Sequence, residues 1–214
     1  MISKYGRQVF ALPVAYLVSF LRRLGFTPNG LTYTGFILTI VSAVFLANGL
    51  FFWGGLILLG AALFDMLDGA LARTTKQTSP FGAFLDSTLD RYSESVTFLG
   101  LVFYYASQGS ARTEIVLIFV IIVGSMMVSY TRARAEALQL ECKVGILQRP
   151  ERVLLLIASL LIGWMMPVLW LLAVLTNVTA VQRIYEVYVQ TVQVQTHGQP
   201  TGKGVAKRND NQPV

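Results

Sequence analysis

Phe64-Asp65-Met66-Leu67-Asp68-Gly69-Ala70-Leu71-Ala72-Arg73 closes one apolar segment, and Gly82-Ala83-Phe84-Leu85-Asp86-Ser87-Thr88-Leu89-Asp90 opens the next. Asp65 and Asp68 are three residues apart and Asp86 and Asp90 four apart, so each pair shares one helix face. The joining loop is short, so the pairs can meet as antiparallel neighbours, at one level just inside a membrane surface. A carboxylate at mid-membrane costs roughly 2.5–3.5 kcal/mol, and less toward the interface. Clustering adds mutual repulsion, and Arg73 and Arg91 offset two of the four charges at most. Divalent cations resolve the conflict. Oxygen ligands alone favour Mg²⁺, with Mn²⁺ as the substitute.

The rest of the chain supports a membrane setting. Of its 214 residues 54% are apolar and 13% charged, about half the usual charged share of a globular domain. That excludes a disordered chain and argues against an ordinary soluble one. The single cysteine, Cys142, excludes an internal disulfide framework and a cysteine-based zinc site, and the single histidine, His197, excludes a His-rich metal site. Hydropathy and chain breakers mark six spans at 31–50, 52–72, 83–106, 114–138, 152–166 and 168–191, with Pro167 dividing the last two. Basic residues alternate between the connections. Lys4, Arg7, Arg22 and Arg23 precede the first span, Arg73 and Lys76 follow the second, Lys143, Arg149 and Arg152 follow the fourth, and Lys203, Lys207 and Arg208 lie in the tail. The positive-inside rule puts both termini and these loops in the cytoplasm. The net charge of +6 is accounted for by these loops, so nucleic acid is not an expected partner.

The apolar run Val9–Leu21 is too short to span, is interrupted by Pro13 and is followed by Arg22-Arg23 rather than a small-residue cleavage site. It reads as a helix lying at the interface. The expected architecture is all-α: an integral membrane bundle of six transmembrane helices over 26–192, an amphipathic juxtamembrane segment over 1–25, and a disordered cytoplasmic tail over 193–214.

The pattern Asp65-x2-Asp68-Gly69-x2-Ala72-Arg73-x8-Gly82-x3-Asp86-x3-Asp90 resembles the signature of the CDP-alcohol phosphatidyltransferases at every fixed position. The resemblance implies a six-helix membrane bundle, a homodimer, and transfer of a phosphatidyl group from a CDP-linked lipid to an alcohol with release of CMP at the cytoplasmic side of the cell inner membrane. It implies two metal ions, one held by Asp65, Asp68 and Asp86 and the other by Asp65, Asp86 and Asp90, with Asp90 as general base. Such ions neutralise the charge of a pyrophosphate. The small residues Gly69, Ala72 and Gly82 let helices or a phosphate-bearing ligand approach. By the same resemblance Asn29, Gly30, Leu31 and Thr32, with Gly69, Arg73 and Ser79, hold the CDP moiety of CDP-diacylglycerol. Taken alone, Pro28-Asn29-Gly30 reads as a turn or helix cap.

A second basic set points to the acceptor. Ser129-Tyr130-Thr131-Arg132-Ala133-Arg134-Ala135-Glu136 ends the fourth span, Gln148-Arg149-Pro150-Glu151-Arg152 precedes the fifth, and Arg183 interrupts the sixth. Arginine favours bidentate contact with phosphate, so a cluster beside a phosphotransfer site suggests an acceptor that itself carries phosphate. The set is similar to the phosphatidylinositol phosphate synthases of actinobacteria, which implies that Ser129, Arg132, Arg134, Arg149, Arg152 and Arg183 line a pocket for inositol phosphate. Lysine is common in that branch where this chain has Arg132. Phosphatidylglycerophosphate synthase and archaetidylinositol phosphate synthase activities share these features and stay open as alternatives. An ion transporter also places acids in membrane helices, but near the midplane on broken helices rather than at one surface level.

Overall fold

The computed structural model describes Val18, residues 25–75 and residues 78–197. The interfacial segment and the tail expected from sequence therefore lie largely outside the described residues. Among the described residues six helices follow one another from Pro28 onward: α1 (Pro28–Ala47), α2 (Phe51–Thr75), α3 (Pro80–Ser107), α4 (Arg112–Ala137), α5 (Arg149–Ile162) and α6 (Met165–His197). No strand occurs among the described residues. Helix α6 continues to His197, past the point where sequence places the start of the tail.

Among the described residues four stretches are long and apolar enough to cross a membrane: Pro28–Ala47, Phe51–Thr74, Arg112–Ala137 and Met165–Gln193. The other two helices miss that standard for different reasons. Helix α3 has 28 residues but carries Asp86, Asp90, Arg91 and Glu94 within its first fifteen. Helix α5 has only 14 residues, about 21 Å at 1.5 Å per residue, against a hydrocarbon core of about 30 Å.

The helices close into a ring in the order α1, α2, α5, α6, α4, α3. Inside it Phe98, Leu101, Ile118, Ile121, Leu160, Leu169 and Leu172 form the main apolar core. The outer surface is apolar as well, with Phe52, Trp53, Phe103, Phe119 and Trp170 each more than half exposed, which is the distribution expected when hydrocarbon rather than water surrounds the bundle.

Pro167 does not divide α5 from α6. The break lies at Gly163, whose φ of 86° is left-handed, and the amides of Gly163 and Trp164 both donate to Ser159 O, at 2.9 and 3.1 Å. Pro167 instead falls in the first turn of α6, where its missing N–H costs no hydrogen bond. Apolar periodicity is continuous across the break, so the proline was the stronger sequence signal and the wrong one.

Where helices touch, small residues set the distance. A Cβ on Gly100 of α3 would overlap the backbone of Ala43 in α1, whereas one on Gly60 of α2 would meet nothing within 4 Å. Gly100→Val should therefore destabilise the bundle by about 1–3 kcal/mol, the usual cost of overpacking. Gly60→Ala should be neutral or stabilising by up to about 1 kcal/mol from helix propensity. Thermal unfolding of both variants in one detergent checks the pair; equal melting temperatures would refute the close contact of α1 with α3.

Candidate active site

Two matching local motifs build one side of the site. Thr27-Pro28-Asn29-Gly30 starts α1 and Ser79-Pro80-Phe81-Gly82 starts α3. In each, the hydroxyl accepts from the glycine amide three residues on, at 3.1 Å for Gly30 and 2.9 Å for Gly82, and the proline occupies the first turn, where its fixed φ suits a helix start. The two starts lie side by side: a Cβ on Gly82 would stand 3.1 Å from Asn29 Oδ1. The last turns of α2 face them. Between these elements lies a cavity of about 190 Å³, lined by Asn29, Thr32, Asp68, Gly69, Arg73, Ser79 and Asp86 among others. Five of the seven residues expected to hold the nucleotide thus border one hollow; Gly30 and Leu31 do not line it, and Leu31 is fully buried in a small cluster with Val18, Leu67 and Leu71.

The carboxylates form a row. Asp65 and Asp86 are each near enough to repel both Asp68 and Asp90, which leaves Asp68 on the cavity side and Asp90 on the far side. Each acid has its own support. Thr32 Oγ1 donates to Asp68 Oδ2 at 2.6 Å, out of contact with solvent. Gly35, on the same face of α1, gives Asp65 its room: a Cβ there would stand 2.5 Å from Asp65 Oδ1. Arg149 Nη2 lies 2.9 Å from Asp65 Oδ2 and 2.8 Å from Asp90 Oδ1. Arg91 Nη1 stands 3.9 Å from Asp90 Oδ2, while its guanidinium donates to the carbonyl of Ser87.

Among the described residues no three acids, histidines or cysteines stand as a ready metal-binding set, and Arg149 Nη2 lies between Asp65 and Asp90. The donor chemistry nevertheless fits a divalent ion. All four groups are hard oxygens, they come from two facing helices, and a cation already bridges two of them.

The arginines expected to bind the acceptor are not one pocket. Arg152 is 3% exposed and forms a two-nitrogen fork with Glu94, Nε to Oε1 at 2.7 Å and Nη2 to Oε2 at 2.9 Å. Arg183 is buried and donates to two backbone carbonyls, Val144 at 2.9 Å and Val128 at 2.5 Å. Arg132 pairs with Glu136 at 2.8 Å on an exposed surface, and Arg134 is exposed. Ser129 borders a separate groove with Arg91 and Tyr130. Arg183 lies close enough to feel the charges of Arg132 and Arg152, and that of Glu136.

The connection between α4 and α5 is strapped to α6. Leu147 N donates to Thr179 Oγ1 at 3.1 Å, Ile146 N to Gln182 Oε1 at 3.2 Å, and Gln190 to Glu141 O at 2.7 Å. Cys142 is tucked beneath, and burial pushes its thiol pKa up. This strap sets where α5 begins and so where Arg149 and Arg152 point. Sequence reading missed Glu94 and Gly35. Glu94 extends the Asp86, Asp90 register by one further turn, a signal that was present; nothing local marks Gly35.

The chain matches the family described as CDP-alcohol phosphatidyltransferase over residues 26–182. It is 37% identical over 195 residues to a phosphatidylinositol phosphate synthase of Mycobacteroides abscessus, covering 87% of this chain and 89% of the relative. It is 38% identical over 189 residues to an archaetidylinositol phosphate synthase of Pyrococcus horikoshii, covering 87% and 96%. The crystal structure of Mycobacterium tuberculosis phosphatidylinositol phosphate synthase with CDP-DAG bound superposes with a TM-score of 0.76 at 32% identity, covering 82% of this chain and 93% of that one. The same enzyme has been solved in complex with manganese and citrate.

Arg152→Ala leaves Glu94 buried without a partner and should cost about 3–5 kcal/mol of stability, whereas replacing both members with Met and Gln should cost clearly less. Chemical unfolding in detergent separates the two cases. Gly35→Ala should spare the fold but displace Asp65, weakening Mn²⁺ binding followed by electron paramagnetic resonance; unchanged Mn²⁺ affinity would refute the role given to Gly35.

Proposed function

The chain belongs to the CDP-alcohol phosphatidyltransferase family, and from that premise we propose that it transfers the phosphatidyl group of CDP-diacylglycerol to a hydroxyl of inositol phosphate, releasing CMP. The observation that carries this reading is the carboxylate row set between two basic flanks. Arg73 lies on the cavity side, and Arg149 lies on the other. A donor pyrophosphate and a phosphorylated acceptor can meet at the row from opposite sides without competing for the same cations.

In this reading Asn29, Thr32, Gly69, Arg73 and Ser79 hold the CDP moiety in the cavity they line. Thr32 acts through Asp68, which it orients. Asp65, Asp68, Asp86 and Asp90 hold two Mg²⁺ ions, which supply neutralising charge for the pyrophosphate when bound. Asp90 accepts the proton of the acceptor hydroxyl. The hydroxyl oxygen forms a bond to the lipid-linked phosphorus, the bond from that phosphorus to the bridging oxygen breaks, and CMP departs with the electron pair. Arg149 reaches the acceptor phosphate, and the positive field of Arg132, Arg134, Arg152 and Arg183 attracts it, with Ser129 at the margin. Arg152 and Arg183 also fix α5 and the strap.

The bundle is proposed to cross the cell inner membrane six times, with α3 and α5 completing the four apolar spans and the basic end in the cytoplasm, and to work as a homodimer. The short α5 and the charged first half of α3 are tolerable there because their polar groups face the site rather than lipid.

CMP release measured across an acceptor panel tests the proposal. Inositol phosphate should react well and free inositol poorly, because the uncharged acceptor leaves guanidinium groups unpartnered. Better reaction with glycerol phosphate would reassign the acceptor, and equal reaction with free inositol would remove the arginines from recognition. Activity should require Mg²⁺ or Mn²⁺ and stop in excess EDTA. Asp90→Asn should retain CDP-diacylglycerol binding while turnover falls about 10²-fold or more, the usual scale for losing a general base.

A further inference from the structure

Two arginines on successive turns of α5 treat their carboxylates differently. Arg152 meets Glu94 with the matched fork, two nitrogens on two oxygens at 2.7 and 2.9 Å. Arg149 shares a single nitrogen, Nη2, between Asp65 of α2 and Asp90 of α3, at 2.9 and 2.8 Å. Its Nε is shut away from solvent with no hydrogen-bond partner. A guanidinium is strongest when its planar fork meets one carboxylate or phosphate, and a buried donor left unsatisfied is costly. Arg152 is therefore settled, whereas Arg149 is held through one nitrogen, hydrogen-bonded to Asp65 and ion-paired with Asp90.

Arg149 is not enclosed. Its side chain is 30% exposed, at the polar edge of a groove of about 470 Å³ between α2 and α5 whose remaining lining beyond Asp65 is apolar, Leu59, Leu63, Met66 and Leu154 among it. Its backbone is anchored one turn away by the Arg152–Glu94 pair, so the side chain can move without moving the helix.

We infer that Arg149 is a placeholder cation. It holds Asp65 and Asp90 together in the metal-free protein, gives them up when a divalent ion loads, and is thereby released to the phosphate of the acceptor. Metal loading and acceptor binding are then coupled, and by linkage the coupling is reciprocal: each strengthens the other by the same factor. The order of loading follows from charge. Before the metal is present the guanidinium is engaged by two carboxylates and offers little to an incoming phosphate; afterwards that charge is available. The inference rests on the metal-dependent transfer proposed above, and assigns Arg149 a positioning role that the other arginines do not share.

The full chain in detergent, stripped of metal, supplies the test. Mn²⁺ is titrated by electron paramagnetic resonance into the native protein, Arg149→Gln and Arg149→Lys, each with and without inositol phosphate. Arg149→Gln should bind Mn²⁺ more tightly than the native protein, by about 5- to 150-fold, the range usual for coupled sites. Arg149→Lys, which keeps the charge, should stay nearer the native value. Inositol phosphate should tighten Mn²⁺ binding in the native protein and leave it unchanged in Arg149→Gln. Equal or weaker Mn²⁺ binding by Arg149→Gln, or no effect of inositol phosphate on the native protein, overturns the placeholder role while metal binding itself stands. Absence of Mn²⁺ binding in every form overturns the metal-dependent reading and this inference with it. The two native titrations decide the matter even if a variant fails to fold.

Discussion

Like charges facing one another inside an apolar bundle must be given counter-charge, and the arrangement of α2, α3 and α5 follows from that requirement. Asp65 and Asp86, on α2 and α3, each repel Asp68 and Asp90, and the two helices both pack on α1. Uncompensated, that repulsion would push apart the helices that the apolar core holds together. Arg149 brings positive charge to both helices at once, and Arg152 repeats the connection to α3 one turn deeper through Glu94. Helix α5 can remain short because its first turn is tied to the acids and the rest packs into the core through Leu156, Ile157 and Leu160.

The same requirement divides the site by chemistry. On the cavity side, neutral donors support the acids: the Thr32 hydroxyl meets Asp68, and the two capped helix starts present their N-terminal turns, where the helix dipole favours an anion. On the far side, full positive charges do so. A donor carrying a pyrophosphate suits the first environment and an acceptor carrying a phosphate suits the second. Nothing in this division depends on long loops. The one substantial connection, between α4 and α5, is fastened to α6 by Thr179, Gln182 and Gln190, so the positive flank is as rigid as the helices that bear it.

Much of this was legible in the sequence. The spacing of Asp65 with Asp68 and of Asp86 with Asp90 fixes the helix face of each pair, because helical periodicity is local; that the two pairs meet was settled by the packing of α2 and α3 on α1. The helix starts at Thr27-Pro28 and Ser79-Pro80 are local too, and their hydroxyl-to-amide bonds form within three residues. Family membership followed from the same pattern. The break between α5 and α6 was misplaced because a glycine with positive φ and a proline are both chain punctuation, and an apolar run gives no further cue to choose between them.

What the tertiary structure alone decided is which charges meet. Apart from Glu136, four residues beyond Arg132, sequence carries no information on the partners of the arginines, because each is long, flexible and near the basic end. Packing separated three of them: Arg152 went to Glu94, Arg183 to the carbonyls of Val144 and Val128, and Arg149 to the acids, whereas Arg132 with Glu136 is an i,i+4 pair within α4 that belongs to the sequence. Gly35 gained its importance in the same way, through the 2.5 Å that a Cβ would leave to Asp65 Oδ1 on another helix. Periodicity along one helix is set by neighbours three and four residues away, and so belongs to the sequence. Pairing across helices depends on the rotation and depth at which each helix packs, and those are settled only when all six close the ring.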